Sequence, residues 1–197
     1  IGSRLVINGK ALELNNDFQP IIQLNTNSTQ FFSEIVFAGH GIVDSDYDDY
    51  ATLDVTGKIV ILLDGGPASY KPKRGGFMAP NGTYAKIQNA SKKGAAAVLL
   101  AGGNFPRRAM EPLGNMYTEL YKEKQTANAF IISDKTAESL MGSGWNELKE
   151  QGKKTAVKAA LNKAKIELAF GKKVQFLQSS NVLGIIEGTD KKDEWLV

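Results

Sequence analysis

The chain has 197 residues, a 42% hydrophobic share and a net charge of +3, so it can bury the core of one ordinary domain. This small charge argues against a nucleic-acid-binding protein, which usually concentrates more positive charge on one face. Cysteine does not occur, which excludes disulfides, thiolate metal sites and cysteine nucleophiles. No apolar run approaches the roughly 20 residues that are needed to cross a bilayer.

Hydrophobic patterning predicts a βαβ unit in the middle of the chain. Residues 1–33 are polar and strand-like. Lys58–Leu63 and Ala95–Leu100 are nearly continuous apolar runs, which are typical of strands buried on both faces. Between them the pattern predicts a helix that Thr83 caps and that ends at Gly94. Strand, helix and strand in this order imply a right-handed parallel crossover.

Further elements are predicted on both sides of this unit. Glu34–Ala38 and Phe130–Ile132 are short apolar runs that predict strands. After the second run, Ser133 or Asp134 is expected to cap a helix that reaches Met141, and residues 145–151 are expected to be helical.

Alternating residues near the end predict an antiparallel hairpin. Ile166, Leu168 and Phe170 alternate with Lys165, Glu167 and Ala169. After a Gly-Lys-Lys turn, Val174 and Phe176 alternate again. The sum is a mixed α/β (α+β) domain. It has a small central mixed sheet flanked by helices, with a βαβ unit and antiparallel hairpin strands.

Three strings in the middle of the chain carry a family resemblance. They are Val36–Ile42, the Asp-Val-x-Gly-Lys-Ile-Val string from Asp54, and the Lys-Gly-Ala-Ala-Ala-Val string from Lys93. In this order and spacing they resemble the protease-associated (PA) domain that is inserted in secreted zinc aminopeptidases. The resemblance covers residues 34–178. His40 departs from the pattern, since such peptidases more often carry Tyr there.

The last residues resemble a different part of the same enzymes. Asn181–Val197 is similar to the opening of the catalytic domain in dinuclear-zinc aminopeptidases, with an apolar run, a polar loop and the start of a second strand. In that family a His-x-Asp motif, whose His and Asp are the first metal ligands, follows within a few residues. We expect that the sequence of this chain ends just before this motif. The resemblance implies a lead-in segment at 1–33, a PA domain at 34–178 and a truncated start of the catalytic domain at 179–197.

This resemblance implies a non-catalytic accessory domain of a secreted zinc aminopeptidase. The domain would flank the active-site cleft and modulate substrate access or selection, and two zinc ions would belong to the parent catalytic domain. None of the family's metal ligands or its general base matches a position here, so this fragment is expected to be inactive and without a cofactor. The implied partners are its own catalytic domain and peptide or protein substrates, with neither nucleic acid nor a membrane span.

The resemblance implies a secreted or periplasmic location in a bacterium. It is the only basis for this expectation, because the sequence shows no signal peptide. The alternative function is a stand-alone PA module that binds a protein or a glycan. Residues 181–197 argue against it, because they indicate that a peptidase follows. Exposed apolar edge strands in these residues also predict concentration-dependent dimerisation.

Two long loops are candidate contact surfaces for a substrate or partner. Each follows a strand of the βαβ unit, so both leave the same edge of the sheet, where α/β folds tend to bind ligands. Aromatic, methionine and arginine side chains on such loops suit peptide contact, although ordinary solvated loops are the alternative. The candidates are Tyr70, Lys71, Lys73, Arg74, Phe77 and Met78 in the first loop, and Phe105, Arg107, Arg108, Met110, Met116 and Tyr117 in the second.

His40 is the only histidine, so a Ser-His-Asp hydrolase would need it, with Ser69 or Ser143 as the nucleophile. The sequence has no Gly-x-Ser-x-Gly elbow, and a histidine between two glycines is expected to be a turn residue.

The acidic stretch Asp44–Tyr50 has the Asp-x-Asp-x-Asp spacing of a calcium loop. It has no glycine at the sixth place and no glutamate at the twelfth. We therefore expect a solvated acidic loop.

Overall fold

A computed structural model describes residues 2–73, 75–76, 79–102, 105, 126–154, 160–182 and 184. Strands and helices alternate in the middle of the chain and strands alone occupy its beginning. In chain order the elements are β1 (Gly2–Ile7), β2 (Lys10–Ala11), β3 (Phe18–Pro20), β4 (Ser28–Phe37), β5 (Val43–Asp44), β6 (Tyr47–Asp48), β7 (Ile59–Leu63), α1 (Thr83–Lys92), β8 (Ala97–Ala101), β9 (Asn128–Ile132), α2 (Asp134–Met141), α3 (Trp145–Lys154) and β10 (Ala160–Gly171).

One mixed sheet of eight strands organises the fold, in the order β2-β1-β10-β4-β7-β8-β9-β3. The four strands β4, β7, β8 and β9 are parallel, and the strands beyond them pair antiparallel. β5 and β6 form a separate hairpin. The predicted mixed α/β class is confirmed, and so is the parallel βαβ unit, which is β7-α1-β8.

The central strands are buried because both faces of the sheet are covered. Every residue of β7 and β8 is buried, as their unbroken apolar sequences predict. On one face, α2, α3 and the outer strands cover the core, and Trp145 packs edge-on against Phe37 with ring centroids 5.6 Å apart. On the other face, α1 places Ile87 and Ala90 against the sheet. Burying a large apolar side chain of this kind contributes roughly 1.5–3 kcal/mol.

Strand register separates the sheet into two ends. Gly2 pairs with Gly171, and Phe170 pairs with Ser28, so β1 begins and β10 ends beside the start of β4. We call this the junction end. β4 has ten residues, or about 30 Å of strand, and runs parallel to β7. The loops after β7 and β8 therefore leave from the opposite side, which we call the loop end.

The helix starts show one correct and one incorrect capping prediction. Ser133 caps α2, because its Oγ accepts a hydrogen bond from the backbone N of Thr136 at 3.1 Å. Thr83 does not cap α1. It is the first helical residue, and the capping position is occupied by Gly82, which offers no side chain. Gly94 ends this helix with a positive φ of 91°, as predicted.

The predicted terminal hairpin is wrong. β10 is a single strand of twelve residues that pairs with β1 on one side and β4 on the other. Both of its edges are therefore occupied, and no edge remains for a strand that contains Val174 or Phe176. These two residues are exposed and lie outside any strand.

Other boundaries also differ from the sequence predictions. The strand predicted at 34–38 begins at Ser28, and the acidic loop contains the β5–β6 hairpin. Val182 and Gly184 do not lie in a strand. The other residues of the predicted strand at 182–186 and of the final strand lie outside the described residues, so dimerisation through 181–197 stays a prediction.

Candidate functional site

Loop A comprises residues 64–82 and contacts the acidic hairpin at the loop end of the sheet. The acidic hairpin is β5, β6 and the residues beside them, 43–49. The Tyr70 hydroxyl donates a hydrogen bond to Asp44 Oδ2 at 2.7 Å, and the Tyr70 ring lies 5.1 Å from that of Tyr47. The Lys73 ammonium pairs with the Asp46 carboxylate. The structure thus brings two candidate residues of loop A onto β5 and β6, a contact that the sequence did not suggest.

The other candidates are distributed unevenly. Lys71 is exposed on loop A. Phe105, in loop B (residues 102–127), is half-buried, and its backbone N donates to the Gly102 carbonyl at 3.2 Å. The remaining candidates are outside the described residues: Arg74, Phe77, Met78, Arg107, Arg108, Met110, Met116 and Tyr117. Parallel pairing of β7 with β8 confirms that both loops leave the same edge.

Protein donors engage the carboxylates of the acidic hairpin. Besides Asp44 and Asp46, Asp48 pairs with Lys93 at 2.9 Å. Asp49 accepts hydrogen bonds from the Ile42 backbone at 2.9 Å and from the Tyr47 hydroxyl at 3.0 Å. The Lys73 ammonium lowers the pKa of the Asp46 carboxyl, and Asp46 in turn raises the pKa of Lys73. Over the part of the chain that the structure describes, no group of three or more acidic or histidine side chains could hold a metal ion.

His40 lies in the turn after β4, as its flanking glycines predict, and it is buried. Its Nε2 is 3.0 Å from the carbonyl oxygen of Gly152, in the last turn of α3, so it donates to a main-chain acceptor and not to a serine. Burial lowers the pKa of His40, and the charge of Lys86 lowers it further, while the Gly152 carbonyl opposes both effects. The histidine therefore joins β4 to α3, and nothing in its contacts indicates hydrolysis.

Lys86 is the residue that the sequence reasoning missed. It is completely buried on α1, and its Nζ donates hydrogen bonds to the carbonyls of Leu63, at 2.9 Å, and of Gly65. Burial lowers its pKa to about 8, although the charges of Asp64 and Asp49 oppose the shift. One signal existed, since Lys86 stands four residues before Ala90 on the apolar side of the helix.

Comparison with known proteins identifies the domain. The family model described as the PA domain matches residues 32–140, more than half of the chain. The chain belongs to the PA domain family. The resemblance of the middle of the chain to this domain is confirmed.

Among solved structures, this PA domain is similar to one named "Aminopeptidase from Aneurinibacillus sp. strain AM-1", with a TM-score of 0.45 and 18% sequence identity. The match covers 85% of this chain and 30% of that one, so the PA domain spans less than a third of that protein. No curated protein matches the sequence. Within the described ranges, none of the helices is long and apolar enough to cross a membrane.

Proposed function

We propose that this PA domain is a non-catalytic accessory domain of a secreted or periplasmic zinc aminopeptidase, where it flanks the active-site cleft and modulates substrate access or selection. Family membership supports an association with a protease. The resemblance of Asn181–Val197 to the opening of a dinuclear-zinc catalytic domain supports the class of enzyme.

One geometric observation carries the proposal: the chain enters and leaves the sheet at one end, and the candidate loops leave from the other. Gly2 and Gly171 are paired neighbours, so a domain of this design fits into a single surface loop of a host with little disturbance. About 30 Å of β4 then separates the junction from the loop end. A domain inserted beside the active-site cleft would therefore extend its loops over that cleft.

The part of loop A between Tyr70 and Lys73 is suited to this task because both residues bind the acidic hairpin. Tyr70 and Lys73 bind Asp44 and Asp46, which leaves Lys71 exposed between them. A loop that is held in place excludes or admits a peptide with little ordering cost at the moment of contact. The parent catalytic domain would supply both zinc ions and activate water there, and this domain would add shape and charge at the rim.

The first experiment compares zinc content and aminopeptidase activity of this chain with those of the parent protein extended beyond Val197. The proposal expects about two zinc ions and peptide cleavage only in the longer protein. Zinc-dependent cleavage by the isolated chain would refute a non-catalytic role. If neither protein binds zinc or cleaves, the peptidase assignment fails, and the stand-alone binding module takes its place.

A second experiment tests the role of loop A in substrate access. In the parent, Lys71→Glu is expected to change KM for peptides long enough to reach the loop while leaving a short aminoacyl anilide unaffected. Lys165→Glu, the same charge change at an exposed position of β10, serves as the matched control. Equal effects on long and short substrates would contradict a role in access.

A further inference from the structure

Lys86 places a charged group where the fold would ordinarily place an apolar one. Its side chain is 0% exposed and lies beside Ile87 on the face of α1 that packs against the sheet. A buried ammonium loses its hydration, and only several good hydrogen bonds can offset that loss. The use of lysine here therefore indicates a specific demand at the atoms that its Nζ contacts.

Those atoms are two carbonyls at the start of loop A. Nζ donates to Leu63, the last residue of β7, and to Gly65, which stands two residues further on. Gly65 has a φ of +67°, so the chain turns sharply between the two acceptors. A single ammonium bridges both carbonyls, which fixes the direction in which the loop leaves the strand.

Three contacts then position the next residues of loop A, from Gly66 to Tyr70. Gly66 lies so close to Ile42 that a Cβ on it would be 3.3 Å from Ile42 Cδ1. The backbone N of Ala68 donates to the Lys153 carbonyl at 2.8 Å, and Tyr70 then reaches Asp44. Each of these contacts follows the turn at residues 63–65 along the chain.

We infer that Lys86 is a positioning residue for the substrate-contacting face of the domain: it holds the first turn of loop A so that Tyr70 and Lys73 meet the acidic hairpin. The inference rests on the proposed function for its biological meaning. The physical part, which is control of the loop by Lys86, is measurable on this chain alone.

The test is amide hydrogen exchange on Lys86→Met, which keeps the length of the side chain and removes the donors and the charge. Exchange in residues 65–70 should accelerate at least tenfold, while the central strand β8 keeps its wild-type protection or gains some. Lys92→Met, an exposed change on the same helix, is the control and should leave both regions unchanged. An unchanged loop, or equal acceleration of loop and β8, would overturn the inference, since the latter is ordinary destabilisation.

Gly65→Ala approaches the same contact from the other side and keeps the inference testable if Lys86→Met does not fold. No atom lies within 4 Å of a Cβ at Gly65, so the change acts only through the positive φ, which displaces the carbonyl. Relative to the wild type, exchange in loop A should again accelerate more than exchange in β8. Where both single variants fold, the double variant should exchange no faster than Lys86→Met alone, because both break one contact. Fully additive effects would contradict a shared contact.

The parent protein separates this inference from the proposed function. If both hold, Lys86→Met raises KM for long peptides and leaves the cleavage of a short anilide unchanged. If loop A loosens but the kinetics do not respond, the positioning role stands and the proposed function fails. If the loop does not loosen, the positioning role fails whatever the kinetics show.

Discussion

The side chain of Asn25 pairs with the main chain of Ala129 in both directions. Its Nδ2 donates to the Ala129 carbonyl at 2.9 Å, and its Oδ1 accepts from the Ala129 backbone N at 2.6 Å. Asn25 is fully buried, and it supplies the hydrogen bonds that a neighbouring strand would supply to β9. Just past β3, the Ile21 backbone N also donates to the Ala129 carbonyl at 2.9 Å, so the Asn25 amide extends the hydrogen bonding of β9 beyond the last paired residue of β3.

Replacing Asn25 with alanine should be among the most damaging polar substitutions in this domain. It leaves the backbone N–H of Ala129 buried without a partner and removes one of the two donors to the Ala129 carbonyl, which keeps its bond from the Ile21 backbone N. The free energy of unfolding should therefore fall by about 1–3 kcal/mol. Urea denaturation at neutral pH measures this loss. Asn27→Ala is the control, because Asn27 pairs with Lys172 in the same manner but on the surface. A loss as large for Asn27 as for Asn25 would show that burial is not the cause.

Gly41→Ala should also destabilise the fold strongly. Gly41 has a φ of +68°, and a Cβ there would lie 2.7 Å from Leu62 Cδ1 and 2.9 Å from the Tyr50 hydroxyl oxygen. Backbone strain and the forced movement of a buried leucine should together cost more than about 3 kcal/mol. Gly9→Ala has the strain without the collision, since no atom lies within 4 Å, and should cost about 1 kcal/mol. Thermal unfolding of the two variants decides the matter, and equal losses would refute the steric argument.

His40 should make the domain less stable in mild acid. Its folded pKa lies below the usual 6.5, so between these values the unfolded chain binds a proton that the folded protein does not. The contribution of neutral His40 to the free energy of unfolding is therefore fully present above about pH 6.5, and it is lost as the pH drops through this window. The groups that face the ring are Lys86, Asp49 and the carbonyls of Gly152 and Asp64.

His40→Gln retains a donor for Gly152 and removes the titration. Its urea midpoint should change less than that of the wild type between pH 7.5 and 5.5. Parallel pH profiles for the two proteins would show that His40 is not the responsible group.

Lys86 should also make the free energy of unfolding rise with pH, in this case in the alkaline range. Its folded pKa of about 8 lies below the ordinary 10.5, so the unfolded chain binds more protons than the folded protein between these values. Stability should rise with pH across this window, by about 2 kcal/mol between pH 7.5 and 9.5 relative to Lys86→Met. The tyrosines with raised pKa values are present in both proteins, so their contribution cancels. A difference in unfolding free energy that does not change with pH would contradict the burial of a charged Lys86.

The parts of the fold that the sequence predicted are those where local pattern and tertiary environment agree. Lys58–Leu63 is apolar throughout because the strand it contains has two covered faces, and Ser133 caps a helix through a bond three residues away. The hairpin after Gly171 was wrong because the pattern reports alternation and carries no information about which strand edges are already occupied. Edge occupancy depends on residues far away in the chain.

The sequence predicted the edge of the sheet from which the candidate loops leave, but it did not predict which residues hold loop A there. The rule that parallel strands send their loops to one edge placed loop A correctly. Charged residues are solvated in most proteins, so the sequence predicted a solvated acidic loop around Asp44 and gave no sign that Lys86 binds two main-chain carbonyls. The burial of Lys86 and the pairing of Asp44 arise only when α1 and the acidic hairpin approach different parts of loop A.

The pairing of Gly2 with Gly171 has a consequence for how the domain is made. β1 pairs with the two-residue β2 on one side, but its other side and the first half of β4 pair with β10, which comes last among the described strands. The hydrogen bonds to β10 therefore form between residues that are far apart in the sequence. Contacts of such high sequence separation slow folding, because the chain must close a long loop before they form. On the ribosome, these two strands are synthesised before β10, and the edges that will pair with β10 stay unpaired until it emerges. We therefore expect nascent chains that end before Ala160 to need protection from association with one another.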